Sequence, residues 1–444
     1  MRPPIRASLG AALFLLSALL AACDEGGSAD PASQTGANPV LPEPRQYLFP
    51  PIHVPKMIGW SGGGTPIVPA GLKIEALATG LQHPRSLYVL PNGDILVSES
   101  KAPYAHRLGR PKDLVMGWVE KMATSAGDTG ESNRITLLRE NPDGRGAAVR
   151  STFIDHLNSP FGVALVGGDL YIADTDAILR FPYEEGQTEM KQKGAVLAEL
   201  PGGPIDHHWT KALLASPDGA EFYVGVGSNS NITENGMEAE KNRAAILEID
   251  RTTGASRIYA DGLRNPTGMA WEPTSGVLWA VVNERDELGP DLVPDYMTSV
   301  KKGAFYGWPY SYFGQHLDPR VKPQRPDLVE RAIAPDYALS SHVAPLGLVF
   351  CNSDALPPDY RGGVFVSEHG SWNRKKLNGY KVVFIRFRDG HPDGKPQDVV
   401  TGFLDQQDHA RGRPVGVAID KTGALLIADD VGNTVWRVSA AASP

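Results

Sequence analysis

The chain has 444 residues, with 43 Lys+Arg against 51 Asp+Glu and a net charge of -8. It has no basic stripe to neutralise phosphates, which excludes non-specific nucleic-acid binding. Gly 48 and Pro 37, spread along most of the chain, favour many short strands joined by tight turns, and the length permits one large all-β domain.

In chain order, residues 1–22 (MRPPIRASLGAALFLLSALLAA) place Arg2 and Arg6 ahead of an apolar stretch too short for a comfortable membrane span. That is the form of an export signal. The run Leu20-Ala21-Ala22-Cys23 resembles a bacterial lipobox. The resemblance implies a cleaved signal peptide, a lipid anchor at Cys23 and an extracytoplasmic, periplasmic-side location in the cell envelope. Asp24 resembles the signal that retains some lipoproteins at the inner membrane. Residues 23–64, beginning DEGGSADPASQTGANPVLPEP after the cysteine, have no apolar period and read as a flexible tether. With Cys23 consumed, Cys351 in LGLVFCNS has no disulfide partner and is expected to be a small buried hydrophobe.

Residues 65–440 repeat one template six times: HPRSLYVLPNGDILVSES, SPFGVALVGGDLYIADT, HWTKALLASPDGAEFYVGVGSN, NPTGMAWEPTSGVLWAVVNE, APLGLVFCNSDALPPDYRGGVFVSEH and RPVGVAIDKTGALLIADD. Each copy is an apolar run, a turn and a second apolar run, the pattern of two buried strands joined by a hairpin. Six copies predict a six-bladed β-propeller with inserted loops, closed into a ring around a central channel. A sandwich or several small domains would not generate one template repeated throughout. LKIEALATG, residues 72–80, is expected to complete the last blade beside TVWRVSA. In the insertion from Ala102 to about Asn133, DLVMGWVEKMAT is expected to form a short helix packed on the propeller.

The residue ahead of each copy's first apolar run is His83, Ser159, His208, Asn265, Ala344 and Arg413, so these six are expected to ring the channel mouth. Four copies continue with Pro-x-Gly, which lets backbones approach closely. The His208 copy instead has Trp209 and Lys211 in those places. Local violations of this kind gather at functional sites. The loops after the second strands, at Asp174, Asn229, Glu284, His369 and Asp429, should emerge on the same face. Arg264, Arg411 and Arg413, with Lys211, then gather positive charge at the mouth of an acidic protein. Guanidinium groups suit an anionic ligand, and bridging between blades is the competing role.

NRITLL, LNSPFGVAL, LYIADTDAILRFPY, DGLRNPTGMAW, NERDELGPDLVPDYMTSV, GAFYGWPY, SEHGSWNR and RGRPVGVAID, in this order, resemble the soluble quinoprotein sugar dehydrogenases, especially their sorbosone-dehydrogenase-like branch. The resemblance implies an oxidoreductase with pyrroloquinoline quinone (PQQ) and calcium at the mouth of a six-bladed propeller, acting on a sugar, sugar aldehyde or polyol. It implies His208 as general base and Arg264, Asn265, Arg411 and Arg413 as cofactor contacts, with Lys211 beside them. For the cofactor-binding lysine of the soluble glucose enzymes this chain offers His369, Arg374 and Lys375 in HGSWNRKK, of which Arg374 is expected to stand in. Gly289 and Pro290 are implied as carbonyl ligands for calcium, and because they follow a longer acidic loop here, Glu284 or Asp286 is the alternative metal ligand. The electron acceptor, quinone or cytochrome, is left open. Two other readings stand beside this one: a calcium-dependent, lactonase-like propeller hydrolase using Glu284, Asn229 and Asp429, and a non-catalytic binding propeller.

Overall fold

The computed structural model describes residues 29–47, 51–103, 132–141 and 146–441. Each sequence repeat forms the two inner strands of one blade, and two further strands complete it. The innermost strands are Pro84–Val89, Gly162–Val166, Lys211–Ala215, Pro266–Trp271, Pro345–Cys351 and Pro414–Ile419. The second strands are sandwiched between neighbouring blades; Ile95–Glu99, Leu278–Val282 and Gly363–Glu368 are buried at every position. That double burial is why the repeats read as continuous apolar runs.

Alternate residues of these strands face opposite neighbours, as the two-residue period of a strand requires. Ile95 and Val97 join Leu426 and Ala428 of the sixth blade, whereas Leu96 joins Val163 and Ile172 of the second. An apolar cluster fills each of the six blade junctions in this way and closes the ring. The sixth blade is completed from the other end of the chain, Leu72–Thr79 pairing antiparallel with Thr434–Ala440 as expected. Cys351 is buried and free.

The Pro-x-Gly glycines sit where adjacent innermost strands touch. A Cβ at Gly162 would lie 2.4 Å from Leu213 Cβ, and one at Gly347 would lie 2.7 Å from the Val415 carbonyl. Gly347→Val is therefore expected to destabilise the ring by roughly 1–3 kcal/mol through overpacking. The urea midpoint measures this, and an unchanged midpoint would show that the strands can separate at no cost.

The flexible reading of residues 23–64 is corrected from Ala29 onward, where the segment is a strap laid on the propeller. Gln34 is fully buried, and Thr35–Gly36 adds a fifth strand to the fourth blade beside Leu339 and Ala338. The strap then crosses three blades through backbone bonds from Arg45 N–H to the Leu288 carbonyl, His53 N–H to Trp372, and Ile58 N–H to Ala410, each 2.8 Å. Trp60 donates its indole N–H to Asp429 Oδ2 at 2.7 Å and packs edge-on against Trp436 and Phe403. Backbone hydrogen bonds and isolated anchors leave no apolar period in the sequence, which is why the segment reads as a tether. The signal peptide, Cys23, Asp24 and the helix expected at DLVMGWVEKMAT lie outside the described residues.

Candidate functional site

The loops ahead of the innermost strands and those after the second strands lie on one face, around the mouth of the channel. On the third blade, His208 Nδ1 stands 2.7 Å from the Ser228 carbonyl oxygen. A carbonyl only accepts, so Nδ1 carries the proton and Nε2 keeps its lone pair. His207 lies edge-on to the His208 ring at 4.7 Å between centroids. Burial, then the positive Arg264, then His207 lower the His208 pKa well below 6.5, so the imidazole is neutral. Gly227 separates this side chain from Asn265: a Cβ there would meet Asn265 Oδ1 at 2.2 Å and His208 Cβ at 2.5 Å. His208 and Asn265, 57 residues apart in sequence, are thus neighbours.

Arg264 is nearly fully buried and donates to the Glu284 carbonyl at 2.7 Å and to Asn231 Oδ1 at 3.1 Å, with Asp286 Oδ2 at 3.4 Å. Asp286 in turn accepts from Asn373 at 2.6 Å, joining the fourth and fifth blades. Arg413 donates to the carbonyls of His369 and Gly370, both at 3.0 Å, with its guanidinium over the Tyr380 ring. Arg411 is exposed two residues away.

Three expected contacts are placed elsewhere. Lys211 is fully buried, with Nζ on the Trp209 carbonyl at 2.9 Å, because it occupies the glycine position where adjacent strands touch. Burial first and Arg243 second bring its pKa down to about 7. It braces the His208 loop from behind, together with Thr175, which donates to the same carbonyl at 2.8 Å. Arg374 is buried against Ser341 Oγ at 2.8 Å and Asp291 Oδ1 at 3.0 Å. Glu284 turns its carboxylate into the protein, onto Arg285 Nε at 2.9 Å. Gly289 and Pro290 do lie on the mouth face, their carbonyls accepting from His342 at 3.1 Å and Ser341 at 3.2 Å. No group of three or more His, Cys, Asp or Glu suited to a metal occurs among the described residues.

The ends of the second strands lie on the mouth face as expected, and there their carboxylates fasten loops. Asp174 accepts from the Asn158 N–H at 2.9 Å, and Asp429 accepts from the Arg413 N–H at 2.8 Å. Burial raises Asp174 to about 7, Asp429 to about 6 and Glu368 to about 8. A folded-state pKa above the unfolded one contributes stability that is present at low pH and lost as pH rises through the folded value. Glu368→Gln, which keeps the shape and removes the charge, should therefore lose less stability than the parent between about pH 5 and pH 8. Parallel urea curves would reject this role for Glu368.

A second cluster at the mouth was missed. Arg85 pairs with Asp430 and lies over the Trp209 ring at 5.6 Å, while His369 Nε2 meets Asp430 Oδ2 at 3.0 Å. Burial alone would raise Asp430, but His369, Arg85 and Arg413 outweigh it and hold the carboxylate well below its usual range. The sequence did carry a signal, since Arg85 is the only charged residue at the middle position of the six Pro-x-Gly slots. Asn265 Oδ1, Asn229 Oδ1, Asn373 Oδ1 and the Nε atoms of Arg85 and Arg374 are buried with no hydrogen-bond partner among the described residues. So many unmet polar atoms near one mouth suit a polar guest.

Residues 169–383 match the family model for glucose/sorbosone dehydrogenase. Over that span, just under half of the chain, the sequence resembles that family. It is 28% identical over 297 residues to an uncharacterized protein of Borreliella burgdorferi, covering 65% of this chain and 77% of that one. A pyrroloquinoline quinone-dependent sugar dehydrogenase of Hypocrea jecorina is 20% identical over 409 residues, 82% of this chain and 87% of the relative. Among solved structures, the holo PQQ domain of pyranose dehydrogenase from Coprinopsis cinerea superimposes with a TM-score of 0.68 at 18% identity. It covers 84% of this chain and 97% of the domain, and supports the propeller fold.

Proposed function

We propose that this protein is a PQQ-dependent quinoprotein of the glucose/sorbosone dehydrogenase family that oxidises a sugar, sugar aldehyde or polyol, with His208 as general base. The observation that carries the reading is the neutral His208, its Nδ1 proton held by Ser228 O and its Nε2 lone pair left to accept, beside Arg264 and Asn265. An alcohol gives up hydride readily only while its hydroxyl proton is being removed. Nε2 takes that proton, and the carbon keeps the oxygen as a carbonyl. PQQ, when bound, supplies the electron-poor quinone that accepts the hydride. Arg413 and Arg411 offer positive charge for its carboxylates, Asn265 offers an amide, and Arg264 adds charge from behind while bracing the Glu284 and Asp286 loop. The relative from Hypocrea jecorina, named as PQQ-dependent, supports the same assignment.

Calcium has weaker support. The Gly289 and Pro290 carbonyls are oxygen donors of the right kind, but each already accepts a hydrogen bond and Glu284 is committed to Arg285. The hydrolase reading loses both of its carboxylates, since Glu284 pairs with Arg285 and Asp429 accepts from Trp60 and Trp436. The lipobox adds lipidation at Cys23 and a periplasmic-side address, so the electron acceptor is reached at the cell envelope.

The test is reconstitution of apo-protein with PQQ, with and without calcium, followed by dye-linked oxidation over a sugar and polyol panel. Quinone-dependent turnover is expected. Absence of a redox-active complex together with lactone hydrolysis would overturn the assignment.

A further inference from the structure

The strap reaches the propeller almost at once after Cys23. Ala29 N–H donates to Asp291 Oδ2 at 3.2 Å, and Lys395 Nζ holds the carbonyls of Ala32 at 2.9 Å and Thr35 at 2.6 Å. Gln34 accepts from the hydroxyls of Ser340 and Ser341 at 3.4 and 3.1 Å. Asp291 is also the partner of Arg374, in the loop that carries Gly289 and Pro290 on the mouth face. Six steps of chain separate Cys23 from Ala29, a reach of about 20 Å even when fully extended.

The strap then follows the rim of that same face. Its contacts at Leu288, Trp372, Ala410 and Asp429 belong to mouth-side loops of the fourth, fifth and sixth blades. It also bears a disproportionate share of exposed large apolar side chains. Among the described residues, three of nine lie on it, Val40 at 63%, Ile52 at 39% and Ile58 at 44% exposure, and a fourth, Ile67 at 63%, follows just beyond its end. Exposed apolar side chains gathered along one edge mark a protein-binding or membrane-binding surface. The short link to a lipidated cysteine selects the membrane.

We infer that the strap side of the mouth, across the fourth to sixth blades, lies against the lipid surface. The inference rests on the lipidation of Cys23 proposed above. His208 is on the third blade, which the strap does not cross, so sugar enters from the side of the first to third blades. The strap side meets a membrane-held electron acceptor. A long flexible tether would have left the orientation free; the docked strap removes that freedom.

The test uses the full lipidated chain in phosphatidylcholine and phosphatidylglycerol vesicles that contain nitroxide-labelled lipid. A fluorophore is placed on Ile58→Cys in the strap or on Thr252→Cys in a turn at the opposite face, Cys351 being buried and unreactive. Lipid quenching several-fold stronger at position 58 than at position 252 is expected. It should fall when Ile52 and Ile67 are both changed to serine. Equal quenching in a chain that does carry fatty acid overturns the orientation and assigns the apolar strap to a protein partner, leaving the lipoprotein reading intact. A chain that takes up no labelled palmitate at Cys23 overturns the anchor, and the orientation with it. Quinone-dependent turnover in detergent, measured on the same preparations, keeps either failure apart from failure of the enzymatic assignment.

Discussion

His208→Ala is expected to lower sugar oxidation by about 10²- to 10⁴-fold while leaving quinone binding near its parental value. In the proposed role the side chain meets the substrate hydroxyl and not the cofactor's carboxylates, so binding and turnover should separate. The fold should tolerate the change, because the ring lies at the mouth and its one strong protein bond is Nδ1 to Ser228 O. Its titration supplies a second readout. Burial, Arg264 and His207 depress the folded-state pKa below 6.5, so the base stays competent as pH falls through 6.5. The acid limb of kcat/KM should accordingly lie below pH 6.5. Near-parental turnover in the alanine variant, or an acid limb above pH 6.5, would remove His208 from the role of base.

Arg285→Met is expected to cost about 3–5 kcal/mol of stability, because it leaves the buried Glu284 carboxylate without its cation, whereas Asp318 keeps Arg320 at 2.7 Å. Arg285 has no solvent exposure and meets Glu284 Oε2 at 2.9 Å and Asp318 Oδ2 at 3.3 Å. It also donates to the carbonyls of Pro309 at 2.8 Å and Ser311 at 2.6 Å, fastening the 300–320 insertion beneath the mouth. Adding Glu284→Gln should restore part of the loss by removing one stranded charge. The same pair steadies Glu284, whose backbone carbonyl holds Arg264, so quinone affinity should weaken along with stability. Guanidinium denaturation and quinone titration measure the two effects. A stability loss without any change in affinity would uncouple Arg285 from the site.

Much of the site was legible because a ring of repeats makes sequence register into spatial register. Once His208, Asn265 and Arg413 align ahead of their innermost strands, their placement at one mouth follows without knowing any distance. The same alignment misjudged Lys211, since the glycine position it fills points into the contact between strands. It also misjudged Glu284, whose neighbour Arg285 gives a closer partner than any guest at the mouth. Arg285 turns back onto its neighbour Glu284 and also meets Asp318, a pairing that the linear order does not show.

By itself the sequence determined the six blades, the closure of the last one by Leu72–Thr79, and the residue types brought to the mouth. All of these follow from local periodicity and from a template repeated along the chain. Tertiary structure alone decided which of those charges are spent on the protein, as with Lys211, Arg374 and Glu284. It alone revealed the Arg85, His369 and Asp430 cluster, assembled from three blades. It also turned the stretch from Ala29 to Trp60 from a tether into a strap, because the bonds that hold it come from backbone groups and distant loops that leave no pattern in a linear sequence.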